Sequence, residues 1–131
     1  MPAIYQYEPA RNIVVGQLSG LITGEEVLNA VAHVIEATHG LALRKDVLVL
    51  VDEHAHLQNI DMDMMERLKD LVIEAMKRHP GGRDVKTAIV THTAVGISVF
   101  KMWDALSELH PMGARSRTFT SEAEALAWLQ E

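Results

Sequence analysis

The chain contains no cysteine among its 131 residues, so disulfides, thiolate zinc sites and thiol catalysis are excluded. It also lacks a basic stripe. Lysine and arginine gather only between Lys77 and Lys86, where Pro80, Gly81, Gly82 and Asp84 dilute them, and the net charge is −6. A nucleic-acid footprint needs clustered positive charge, so no nucleic-acid partner is expected. No apolar run approaches the ~18 residues of a membrane span. The start, Met1 to Glu8, has neither the basic residues nor the apolar run of a signal peptide. A cytoplasmic protein without a membrane span is the expectation. Catalytic signatures are missing as well. Gly16, Gly20 and Gly24 follow no buried strand into a G-x-G-x-x-G turn and read as strand-end and turn positions. Ser98, inside Val95-Gly96-Ile97-Ser98-Val99, is not on a nucleophile elbow.

What the chain does have is a normal globular balance, 48% hydrophobic and 23% charged, enough for one domain over residues 1–131 with its own core. Its clearest element is Asp46 to Asp52 (DVLVLVD). Five consecutive apolar residues without helical spacing predict a strand buried on both faces. Before it, Ala3 to Glu8 and Asn12 to Leu18 alternate around Pro9 and predict an antiparallel hairpin. Thr23-Gly24-Glu25-Glu26 is a capping box opening a helix that Gly40 stops. Asp61 opens a second helix with Met64, Met65, Leu68, Leu71, Val72, Ala75 and Met76 at helical spacing, ended by His79-Pro80-Gly81-Gly82. Lys86 to His92 predicts another buried strand. Thr93 caps a third helix running to Leu109, and His110-Pro111-Met112-Gly113 closes it. Arg115 to Phe119 is a short last strand, and Ser121-Glu122-Ala123-Glu124 a second capping box before a terminal helix. The order β-β-α-β-α-β-α-β-α predicts an α/β domain, a mainly parallel sheet with an N-terminal hairpin, covered by helices.

Several of these residues together resemble a known group. They are Gly20-Leu21-Ile22-Thr23-Gly24-Glu25-Glu26 opening the first helix, Val49-Leu50-Val51-Asp52, Ala88-Ile89-Val90, and the ending Phe119 followed by Glu124-Ala125-Leu126-Ala127-Trp128-Leu129. The whole is similar to the SpoIIAA-like group, relatives of the STAS domain that are also labelled CRAL-TRIO-like. The resemblance implies a layered domain that regulates by binding. In a regulatory STAS domain a phosphorylatable serine or threonine follows the central strand. The corresponding segment here, Asp52 to Asp61, contains neither, so that role is carried over to no residue.

The expected working face is the C-terminal edge of the parallel strands, where open α/β sheets place ligands. Asp52, Glu53, His54, His56, His92 and Thr93 are its candidate partner- or ligand-binding residues. His54 and His56 share one side of an extended segment, and with His92 they form the weaker candidate set for a metal-dependent enzyme. No cofactor is implied. The methionines Met62, Met64, Met65 and Met76 either line a flexible apolar pocket or fill the core. The third helix is apolar on more than one side, adding Ile97, Met102, Ala105 and Leu109 to its inward Val99, Phe100, Trp103 and Leu106. One stripe suffices for a surface helix, so the surplus, extended by Trp128, points to a homodimer interface or a groove for a hydrophobic molecule. The preferred reading is a non-enzymatic STAS-like binding domain acting on a protein or small ligand. Its alternative is a CRAL-TRIO-like carrier of a lipid-like ligand.

Overall fold

The structure is a computed structural model that describes residues 3–81, 84–109 and 114–131. In chain order it comprises β1 (Ala3–Glu8), β2 (Ile13–Leu18), β3 (Leu21–Thr23), α1 (Gly24–Ala37), a 3-10 turn over Leu41–Arg44, β4 (Val47–Val51) and β5 (His56–Gln58). These are followed by α2 (Met62–Arg78), β6 (Val85–Val90), α3 (Ala94–Leu109), β7 (Ala114–Phe119) and α4 (Glu122–Leu129). The α/β architecture follows the sequence pattern, with one addition. The two three-residue strands β3 and β5 pair in parallel as a separate small sheet, Leu21 beside His56.

The main sheet has the order β1-β2-β4-β6-β7, antiparallel between β1 and β2 and parallel elsewhere. One register row crosses it entirely: Tyr5 opposite Gly16, then Val49, Ile89 and Thr118. Side chains alternate between the two faces of a strand, and here the two faces bury different helices. Leu18, Val49, Val51 and Ile89 pack with Val27 and Leu28 of α1, Met64 and Met65 of α2, and Phe100 and Leu106 of α3. Ile13, Leu48, Ala88 and Val90 pack instead with Ala125 and Leu129 of α4.

This division follows from connectivity. Each crossover, β2 to β4, β4 to β6 and β6 to β7, moves in the same direction across the sheet. Crossovers share one hand, so all three helices fall on one face. Helix α4 follows the edge strand, has no strand to return to, and covers the face left bare. Trp128 therefore does not extend the α3 surface as expected. It sits on the opposite face, its ring tilted at 48° to that of Phe119 with the centroids 5.6 Å apart.

The helix starts expected from sequence form as hydrogen-bonded caps. Thr23 Oγ1 accepts from Glu26 N at 3.2 Å while Thr23 N donates to Glu26 Oε1 at 3.2 Å. Asp61 Oδ1 accepts from Met64 N at 3.0 Å and Thr93 Oγ1 from Gly96 N at 3.0 Å. At α4, Ser121 Oγ accepts from Glu124 N at 3.3 Å. No return bond from Glu124 is found among the described residues, so the second box forms only by half. Buried Lys86 finishes that helix: its Nζ donates to the Trp128 and Glu131 carbonyls at 2.8 and 3.0 Å. A cation there complements the negative end of the helix. The close of α3 at His110–Gly113 lies outside the described residues. Among the described residues no helix is long and apolar enough to cross a membrane.

Candidate functional site

The expected rim exists as a location. Strands β4 and β6 are hydrogen-bonded neighbours with Leu50 beside Val90, so the segments after them, carrying Asp52 to His56 and His92-Thr93, leave the same end of the sheet. The side chains on that rim are mostly occupied locally. Asp52 Oδ1 accepts from His54 N at 2.8 Å, tightening a turn that the Ala55 N to Asp52 O bond closes at 3.0 Å. The extended segment expected through His54 is this turn, and only from His56 does the chain extend, as β5. The two imidazoles therefore do not share one side of a strand. Glu53 and His54 approach to 3.4 Å, with side chains 67% and 87% exposed. His92 is exposed, and Thr93 is spent on its cap. Among the described residues no three histidine, aspartate or glutamate groups are placed to hold a metal. The strand order also never reverses, so the sheet has no switch point, the feature that opens a crevice at strand ends in doubly wound folds.

The concave site lies elsewhere, between the helices and the sheet. Helix α1 packs closely on β1, and α3 on β7, whereas α2 over the middle of the sheet leans on α1 and approaches no strand comparably. The space beneath it is a cavity of about 130 Å³. Its floor is Val14, Leu18, Val47, Val49, Thr87 and Ile89, and its walls come from all three helices, including Val31, Met65, Leu68, Phe100 and Trp103. No charged side chain lines it among the described residues. Tyr5, Val31, Val47, Leu68, Thr87 and Trp103 are only half-buried, so the wall is not sealed throughout. Apolar cavities of roughly 150 Å³ stay dry and take up molecules the size of benzene. A second hollow, about 200 Å³, is lined by Ile4, Gln6, Val15, Gln17 and the turn of a single hairpin, so it has no opposing wall.

The methionines divide between the two expected roles. Met64 and Met65 are core and cavity wall at once, whereas Met62 is exposed. The surplus on α3 divides too. Ile97 and Met102 are half-buried, whereas Ala105 is exposed and Leu109 is 75% exposed; Trp103, of the inward set, lines the cavity.

Tyr5 and Gly16 are the site residues that sequence reasoning missed. Gly16 is not a strand-end glycine but stands mid-strand in β2. A Cβ added there would lie 2.7 Å from Tyr5 Cε2 and 2.9 Å from Cζ. The Tyr5 ring thus leans inward from the edge strand, across the place where a side chain would stand, toward Val49 in the next register position. It borders the cavity, and burial pushes its phenol up to about 12. A glycine at an alternating strand position, with an aromatic on the neighbouring strand, was the available signal. Its pairing partner depends on the hairpin register.

Comparisons of the chain with protein-family profiles, with curated proteins and with solved structures found no match in any of the three.

Proposed function

We propose that this domain binds a small hydrophobic molecule in the cavity beneath α2, without catalysing a reaction on it. The observation that carries the reading is the combination of void and wall: about 130 Å³ of space, no charged lining group among the described residues, and several lining residues that are only half-buried, so that the wall is not sealed against a ligand. Native interiors are packed to crystal-like density with few voids larger than a water molecule. A gap of this size in the middle of the larger core sacrifices dispersion contacts that an occupant would restore. This is the carrier side of the SpoIIAA-like resemblance, and a cytoplasmic setting fits it. The rim histidines contribute no comparable enclosure.

Trp103 lines the cavity and Trp128 lies on the opposite face, so the two indoles act as reporter and control. Bromocyclohexane, whose heavy atom quenches indole emission on contact, should saturably quench Trp103 in a Trp128→Phe protein. It should affect Trp128 only weakly and without saturation in a Trp103→Phe protein. A Val31→Phe substitution, filling the void, should abolish the saturable component. Equal, unsaturable quenching of both indoles would refute the proposal.

A further inference from the structure

The cavity wall is hydrocarbon except at a few points, and one of these has chemistry left unused. No hydrogen bond to the Tyr5 hydroxyl is found among the described residues. A hydroxyl turned toward an apolar wall without a partner is costly, and native structures rarely leave one so. Tyr7, two residues along the same strand, shows the ordinary solution, donating to Asn12 Oδ1 at 2.7 Å. Tyr5 has instead been laid over Gly16, which brings its Cζ, the carbon bearing the hydroxyl, to 2.9 Å from the glycine's missing Cβ. Its polar tip is thereby carried away from the solvent-facing edge and toward the cavity floor at Val49. Tyr5 as a whole residue is half-buried, as are Thr87 and Trp103, the other polar-tipped residues of the wall.

Resting on the reading of the cavity as a ligand site, we infer that its ligand is a neutral, mostly hydrocarbon molecule bearing a hydrogen-bond acceptor of the carbonyl type, which receives the Tyr5 hydroxyl proton in a hydrogen bond. A charged ligand is disfavoured because the wall offers no countercharge, and an ion carried into such a place loses its hydration uncompensated. A pure hydrocarbon would fill the void but leave the phenol unsatisfied. A site with few polar groups, placed to fix orientation inside an apolar pocket, is the usual construction for small-molecule recognition.

Cyclohexane and cyclohexanone differ by the acceptor alone and are the probes of choice. In the unaltered protein both should bind, and the bound ketone should show its carbonyl stretch shifted to lower frequency by the hydrogen bond. In Tyr5→Phe, cyclohexanone should bind roughly threefold to tenfold more weakly, its stretch should lose the shift, and cyclohexane should bind as before. An unshifted carbonyl in the unaltered protein overturns the inference even should the variant fail to fold. So does an equal change in affinity for the two probes. Cyclohexane that binds neither protein sinks the cavity reading itself, whereas cyclohexane that binds while the ketone gains nothing from Tyr5 sinks only the anchor.

Discussion

A phenol moved out of water holds its proton more tightly, because the phenolate loses more hydration than the neutral ring does. Tyr5 has that environment, and its pKa rises from the ordinary 10.0 to about 12. The consequence for stability has a definite sign. Below pH 10 the phenol is protonated whether the chain is folded or not. As the pH climbs from 10 toward 12, the unfolded chain releases this proton first and is favoured, so folding stability falls across that window. The loss attributable to Tyr5 is on the order of 2 kcal/mol once both states have titrated. Urea unfolding measured at pH 9 and again near pH 11 should show a decline that is smaller in Tyr5→Phe. Direct phenolate absorbance should show a late-ionising component that Tyr5→Phe removes. Matching pH slopes in the two proteins would mean that Tyr5 is open to water. The same residue explains Gly16, where any side chain collides with the ring rather than with empty space.

Between elements, the two layers on either side of the sheet differ in how closely they are filled. Val49 points from β4 into the cavity, while one position earlier Leu48 points to the α4 face. On that face Ala88 and Ala125 are both fully buried, two small residues that let α4 approach. Adding methylene volume to a tight core costs about 1–3 kcal/mol, whereas filling a void costs little or stabilises. Val49→Ile should therefore leave the urea midpoint unchanged or raised, and Ala88→Val should lower it. If both variants lose equally, the space beneath α2 is not open in solution. The elements themselves were largely legible in the sequence because their signals are local: Thr23 with Glu26, Asp61, Thr93, and the unbroken Val47–Val51 run. Strands β3 and β5 were not, since three residues are too few to display a period and each exists only through the other. The cavity was illegible for a related reason. Helical spacing in Met64, Met65 and Leu68 says which side of α2 turns inward, but not how far the helix stands from the strands beneath it.

At the scale of the molecule, the order in which strands were added decides where a small ligand can be enclosed. Because every crossover runs the same way, three helices share one face and only α4 serves the other. Strand ends in such a sheet gain no crevice from diverging crossovers, and the enclosed volume arises under the helix layer instead. The reading of the C-terminal rim as the working face borrowed its logic from doubly wound sheets, and the residues it selected, His54 and His92 among them, share an edge without enclosing anything. The two locations can be separated experimentally. Ligand held only by the folded state stabilises it by RT ln(1 + [L]/Kd), roughly 1.4 kcal/mol at tenfold Kd. With bromocyclohexane at that excess, a protein carrying both His54→Ala and His92→Ala should gain the same stabilisation as the unaltered chain, because neither imidazole lines the cavity. Val31→Phe should gain none. Loss of the gain in the histidine variant, with Val31→Phe unaffected, would return the binding site to the rim and make the void beneath α2 a packing defect.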